Sequence, residues 1–307
     1  MNRPIYKKKP IARIRSLARA LSLSPRDLER LSAHAERYYY PSKSILKDDG
    51  THREMYGVTG ELKAVQDRIR KRFLDNVQFP AYLQGSIRDK GSPRSYIVDA
   101  KLHAESNIII GLDIERFFPN TSATVIERIW KYFFNFPDEV ATTLTELTTY
   151  REFLPTGAST SPGLANLVFF EEEPQVEDEL RHRGFVYSRF VDDVSISTTR
   201  WVDLPELEHV FTRVFGMFAR RSLRPSRRKI SIATRGSPLQ VHRLNVNAGR
   251  PTLSKDERSR IRAAVKRCED EAKLGQSTAE YEELWRSVHG RVQMMRSFHP
   301  AEGERFL

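Results

Sequence analysis

At 307 residues the chain is long enough to bury a large core, in one domain or several lobes. Lysine and arginine number 51 against 40 aspartate and glutamate, a formal charge of +11 that favours polyanionic partners, nucleic acid before anionic membrane. Cys268 is the only cysteine, which excludes an intramolecular disulfide and any cysteine-based zinc or iron–sulfur centre. No run approaches the roughly 18 apolar residues of a membrane span, and the basic N-terminus lacks the apolar core of a secretory signal. A cytoplasmic protein with no membrane partner is expected.

The first ten residues carry Lys7, Lys8 and Lys9 with no acidic residue, which reads as a flexible or nucleic-acid-touching arm. Residues 11–21 read as a helix with Ile14, Leu17, Ala18 and Leu21 on one face. Ser24-Pro25-Arg26-Asp27 opens a second helix, with Ser24 as N-cap, Pro25 in the first turn and Asp27 near the positive end. Leu28, Leu31 and Ala35 continue its apolar face. Such a helix pair can read DNA, but more often it packs on its neighbours. After Tyr38-Tyr39-Tyr40-Pro41, the stretch from Lys47 to Arg53 reads as strand, turn and strand, with Asp48-Asp49-Gly50 at the turn. A helix over 61–74 follows, with Leu62, Val65, Ile69 and Phe73 at helical spacing.

Residues 107–111 form an apolar run, read as a buried strand, and Leu112-Asp113-Ile114-Glu115-Arg116-Phe117-Phe118 follows. Residues 154–167 are a loop rich in proline, glycine and serine that leads into an apolar helix. Tyr187-Ser188-Arg189 and Val194-Ser195-Ile196-Ser197 alternate apolar and polar residues, the pattern of two half-buried strands. Between them lies Phe190-Val191-Asp192-Asp193. Adjacent aspartates are poor strand formers, so the expectation is a β-hairpin with both carboxylates at its exposed turn. Carboxylates fixed on a rigid turn suit hard cations such as magnesium, although an ordinary acidic turn is the commoner case. Asp113 weighs against the ordinary case: directly after a buried strand, it can reach the same point in space as the hairpin tip.

Between residues 220 and 250 there are nine lysines and arginines, Lys229 and Arg235 among them, and no acidic residue. A one-sign stretch is destabilising unless it faces an anion. Ser254 caps a further helix with Ile261, Ala264, Val265 and Cys268 along one face. A polar break at 275–277 precedes a second stripe of Tyr281, Leu284, Trp285, Val288, Val292 and Met295.

In this order, the Asp113 to Phe118 strand end, the Leu154-Pro155-Thr156-Gly157…Ser161-Pro162 loop and the Asp192-Asp193 hairpin resemble the palm motifs of reverse transcriptases, in particular bacterial retron-type enzymes. The resemblance covers nearly the whole chain. It implies an α+β right-hand polymerase: a basic arm and helix pair over 1–40, helix-rich fingers over 41–106, an antiparallel-sheet palm over 107–250 with room for a fingers insertion between 119 and 153, and a helical thumb over 251–307. It further implies RNA-directed DNA synthesis, in which dNTPs are joined on a structured noncoding RNA to give DNA and an RNA/DNA hybrid. Anti-phage defence, with an effector protein as a further partner, belongs to the same picture.

The resemblance also assigns residues. Two magnesium ions, or manganese, would be held by Asp113, Asp192 and the Ile114 carbonyl, with Asp193 in electrostatic support. Lys47 and Arg53 fall where the family grips the triphosphate, and Phe118 where a ring excludes the 2′-OH. Thr156 and Gly157 fall on the loop that faces the nucleotide. Lys229 falls where a general acid would protonate pyrophosphate; a phosphate contact on the duplex is an equal alternative. Arg221, Arg224, Arg227, Arg228 and Arg243 are expected to meet nucleic acid. Several positions depart from the family: Thr156 stands for Gln, Ser159 for Pro, Phe190 for Tyr and Ser226 for Asn. Asp99 stands for Asn in an Asn-Ala-x-x-His stretch that Ala100 and His103 otherwise fit, and His103 reads as structural or RNA-facing. His242-Arg243 stand where retron enzymes have Thr-Gly. These departures leave open a different defence-associated reverse transcriptase. A scaffold with a vestigial site is a reading of another class, and the complete aspartate trio argues against it, since clustered carboxylates are costly without a cation.

Overall fold

The computed structural model describes residues 2–46, 50, 52–89, 91–273 and 279–307. Helices and small, mostly antiparallel sheets make it an α+β protein. The chain forms two compact units. The first comprises Met1–Ser95, Ile110–Ile196 and Val202–Ser231; the second comprises Tyr96–Ile109, Ser197–Trp201 and Ile232–Leu307. Among the described residues no helix is long and apolar enough to cross a membrane.

In the first unit the expected helix pair forms at Ile14–Ala20 and Pro25–Ala33. Ser24 accepts the Asp27 N–H at 3.1 Å, which satisfies an orphan donor of the first turn. Leu17, Leu21, Leu28 and Leu31 are fully buried, and the pair packs against the helix Asp138–Thr148. The N-terminal arm is not wholly free: Ile5–Tyr6 pairs antiparallel with Val77–Gln78, and Tyr6 meets Phe134 edge-on. The hairpin Tyr39–Leu46 with His52–Val58 forms with Ile45 opposite Arg53 and a bulge between Pro41 and Lys43. The helix Gly60–Arg72 follows with Leu62, Val65 and Ile69 inward. Its buried Gln66 donates to the Tyr39 hydroxyl and the Leu147 carbonyl, at 2.7 and 2.8 Å.

The central sheet has the order Val186–Phe190, Asp193–Thr198, Ile108–Asp113 and Ser231–Thr234. Its middle strands are nearly inaccessible: Ile108–Asp113 is the apolar run expected to be buried, whereas Asp193–Thr198, expected to be half-buried, also buries its polar residues Ser195, Ser197 and Thr198. The loop after Leu154 leads into a helix of only one turn, Ser161–Ala165, shorter than the apolar run implies, because Asn166 caps it and Pro174 opens the next helix, Glu173–His182.

The second unit is built around the helices Lys255–Lys273 and Ala279–Phe298. Ile261, Val265, Val288, Val292 and Met295 fill its core with Leu244 and Leu253 of a small three-stranded sheet. Trp285, expected on the apolar stripe, is half exposed and stacks on His289. His242 and Arg243, at φ 51° and 64°, form the two-residue turn between Gln240–Val241 and Leu244–Asn245. A turn with both residues left-handed normally takes Gly or Asn. Here His242 Nε2 reaches the buried carboxylate of Asp99 at 2.6 Å, so the two departures from the retron pattern touch each other.

Candidate active site

Asp113 is the last residue of its strand, and backbone bonds fix its exit. The Ser226 N–H donates to the Asp113 carbonyl at 2.7 Å, and the Glu115 N–H to the Arg224 carbonyl at 2.9 Å. On the other side the Ile114 N–H donates to the Asp192 carbonyl at 3.1 Å, tying the hairpin tip to the strand end. Asp113, Ile114 and Asp192 thereby line one pocket of about 430 Å³. The turn is tighter than expected: Val191 and Asp192 form it, and Asp193 already opens the second strand and is exposed. Successive residues near a strand end point to opposite faces, so only Asp192 enters the pocket. Among the described residues no three His, Cys, Asp or Glu side chains converge as a metal cage; the expected donors are two carboxylates and a backbone carbonyl, with Asp193 in support.

Val191 has φ 63°, a conformation that a β-branched residue rarely adopts. Two features hold it there. Arg189 Nη1 donates to the Val191 carbonyl at 2.8 Å. Gly85 lies so close that a Cβ would stand 2.5 Å from Val191 Cγ2, which requires glycine. Arg189 itself is fully buried: Nε and Nη2 donate to the two oxygens of Glu173, at 2.6 and 2.7 Å, and Nη2 also to the Asn166 carbonyl at 3.1 Å. Tyr187 adds its hydroxyl to Glu173 at 2.8 Å. The sequence reading did not single out Arg189 and Glu173. The available signal was an arginine inside an alternating strand on the same face as Tyr187.

Burial, and then the charge of Asp113, push the Asp192 carboxyl above its ordinary value. Lys229 Nζ donates to Asp113 Oδ1 at 2.8 Å from the short turn Arg227–Lys229. Burial works against the Lys229 charge, but its bond to Asp113 and the neighbouring carboxylates outweigh that and hold the proton more firmly than on an ordinary lysine. Two close carboxylates beside a backbone carbonyl are an all-oxygen donor set. That set fits a hard divalent cation which keeps some water and takes other ligands from phosphate.

Arg53, Tyr56, Phe118 and Thr156 line the same pocket. The Tyr56 N–H donates to the Thr156 carbonyl at 2.8 Å. Gly157 has φ 112°, and a Cβ there would meet the Tyr56 carbonyl oxygen at 2.6 Å, so the loop can lie against the hairpin only with glycine. Phe117 is core, stacked on Phe169, while Phe118 is partly exposed and lines the pocket. Lys47 lies outside the described residues.

Of the expected nucleic-acid contacts, Arg224, Arg227, Arg228 and Arg243 are exposed. Arg221 is not: its side chain is 7% exposed and donates to the Val168 carbonyl at 3.0 Å and to Glu171 and Glu172. An acidic cluster that sequence order hid therefore uses this guanidinium internally.

Comparison with characterised proteins agrees with this geometry. No protein-family model matches the chain. It is 31% identical over 303 residues to the Retron Se72 reverse transcriptase of Salmonella heidelberg, covering 97% of this chain and 79% of that protein. It is 30% identical over 264 residues to the Retron Ec48 reverse transcriptase of Escherichia coli, covering 83% of this chain and 64% of that protein. The Retron Ec86 reverse transcriptase of Escherichia coli matches at 24% over 213 residues. A pocket that pairs two carboxylates with Arg53 and Lys229 on an α+β fold, in a chain with these relatives, defines an RNA-directed DNA polymerase. Within that class the chain belongs to the retron reverse transcriptases.

Proposed function

We propose that the protein copies part of a structured noncoding RNA into DNA by two-metal phosphoryl transfer at the Asp113–Asp192 pocket, in the cytoplasm, as part of a bacterial anti-phage system. One observation carries this reading: Arg53, Asp113, Phe118, Asp192 and Lys229, far apart in sequence, line a single pocket. Asp113, Asp192 and the Ile114 carbonyl would hold two magnesium or manganese ions. When bound, such ions lower the pKa of a primer hydroxyl and neutralise charge on departing pyrophosphate.

The chain's own residues supply the rest. Arg53 pairs phosphate oxygens of the incoming dNTP, and Lys47 joins it. Phe118 closes the space a 2′-OH would need. Thr156 and Gly157, seated on Tyr56, form the floor under the nucleotide. Lys229 keeps a proton beside the carboxylates, where a leaving pyrophosphate can take it, and Asp193 adds negative charge that stabilises the ammonium. Arg224, Arg227, Arg228 and Arg243 contact the RNA/DNA hybrid. A right-hand layout underlies this reading, with a basic arm and helix pair over 1–40, fingers over 41–106, palm over 107–250 and thumb over 251–307. An effector protein would complete the system.

The test is labelled-nucleotide incorporation by protein purified with its co-expressed native RNA, with and without magnesium, beside Asp192→Ala. Incorporation of dNTPs that requires both metal and Asp192 supports the reading, and sequencing the product identifies the copied RNA. RNA retention without any incorporation by the wild type would instead favour a scaffold.

A further inference from the structure

Asn107 stands directly before the strand that ends at Asp113, and Arg200 and Trp201 stand just beyond the strand that begins at Asp193. These residues therefore occupy the strand ends remote from the carboxylates. With Thr234 and Arg235 they line a recess of about 440 Å³. Trp201 is 81% exposed, the most exposed of the large apolar side chains described. Its indole therefore presents a free aromatic face beside the guanidinium groups that share the recess.

The surroundings of Trp201 identify the chemistry it suits. Arg235 is exposed and donates through Nη1 to Asn107 Oδ1 at 3.2 Å, while the Asn107 amide donates to the Thr199 carbonyl. Arg200 Nη1 donates to the Trp201 carbonyl at 3.3 Å. The Arg235 guanidinium is thus oriented by a neutral side chain that is itself anchored to the backbone, and it keeps its full positive charge. No acidic side chain lines the recess among the described residues. Arg235 also belongs to the stretch from 220 to 250 that has no acidic residue at all. A flat aromatic face beside an oriented cation matches an unstacked base and its phosphate. A duplex cannot offer this, because its base faces are already stacked.

We propose that Trp201 and Arg235 form an anchoring site for an unpaired segment of RNA, separate from the polymerising pocket, with one base stacked on the indole and its phosphate on the guanidinium. That the strand is RNA rests on the function proposed above: the copied strand must move through the pocket, whereas an uncopied RNA segment can stay fixed elsewhere.

The test uses the full chain and a labelled oligouridylate of about 12 nucleotides, within the length one stacking surface tracks. Trp201→Ala is expected to weaken binding about tenfold, with Trp201→Phe restoring most of it. Arg235→Gln should reduce the slope of log affinity against log salt by about one. Photocrosslinking with iodouridine in the oligomer should label Trp201. Extension of an unrelated primer–template by each variant should match wild type, which also establishes correct folding. Unchanged oligouridylate affinity in Trp201→Ala, or the same loss for a fully paired RNA of equal length, overturns the proposal. Failure of the polymerase reading would look different: no protein would extend the primer, while the oligouridylate titration would still report on Trp201.

Discussion

Two charged groups on one hairpin have opposite surroundings. Arg189, on the first strand, is fully buried and meets both oxygens of Glu173 and the carbonyls of Asn166 and Val191. Asp192, at the turn, is half-buried beside another carboxylate, and both effects hold its carboxyl above the ordinary range. The first charge is matched within the fold; the second is matched only when something from outside arrives. A buried charge with a complete set of partners marks scaffold, and a half-buried charge set against its own sign marks a site.

The largest expected effect breaks the second case. Asp192→Asn should reduce nucleotide incorporation by about a thousandfold or more, since it removes a group needed only with the cation and the reacting nucleotide. The same change should raise the melting temperature in chelator by a few degrees. The sign follows from linkage. The folded-state carboxyl is held above its unfolded value, so folding is disfavoured once pH rises through the unfolded value and beyond, and the amide removes that cost. Incorporation by the wild type should accordingly fall on the acid side at a pH above the ordinary carboxylate range. Incorporation assays and thermal melts of the two proteins check both statements. A destabilised Asp192→Asn would mean that the charge is matched internally after all.

Breaking the first case should have the reverse signature. Arg189→Met leaves Glu173 buried without its cation and should cost about 3–5 kcal/mol of stability, read from urea unfolding. The double change Arg189→Met with Glu173→Met should recover most of that loss, because neither charge then remains. Activity in the double variant would still drop, since the Val191 carbonyl loses the donor that holds the turn at φ 63°.

The matched charge was the less legible of the two. Asp113 and Asp192 could be placed together from sequence because Asp113 follows an apolar run, Asp192 lies between two alternating stretches, and their order with the 154–167 loop resembles a family's motifs. The helices Ile14–Ala20, Pro25–Ala33 and Gly60–Arg72 were likewise visible in their 3.6-residue periodicity and in the Ser24 cap. Arg189 and Arg221 were not, because an arginine is solvated far more often than buried, and only the folded chain shows that Glu173, Glu171 and Glu172 have come to meet them. Asp193 was misplaced by one position: Val191 takes the left-handed residue of the turn, which no propensity scale assigns to a β-branched side chain.

A third buried group extends the comparison to neutrality. His103 is fully buried in the second unit with Nδ1 2.7 Å from Ser197 Oγ, and burial pushes its pKa down to about 4. The unfolded chain takes up this proton near pH 6.5, the folded chain only near 4. Stability from this residue is therefore complete above about pH 6.5 and declines as pH falls toward 4, by about 3 kcal/mol in all. Urea midpoints measured across that range should fall for the wild type and stay flatter for His103→Asn.

The smallest effect concerns a charge that is matched on one side only. Asp99 is 1% exposed; its Oδ2 meets His242 Nε2 at 2.6 Å, while Oδ1 has no hydrogen-bond partner among the described residues. His242 in turn occupies a left-handed turn position that glycine or asparagine would fill more easily. Each residue alone is thus unfavourable, and the bond between them offsets both costs. Asp99→Asn and His242→Thr would install the two residues that the family resemblance leads one to expect at these places. Each alone should destabilise by about 1 kcal/mol, the first by weakening a charge-assisted bond and the second by stranding a buried carboxylate. Together they should cost less than their sum, with a coupling of about 1 kcal/mol in a double-mutant cycle of urea unfolding. Additive costs would mean that the contact contributes nothing beyond proximity.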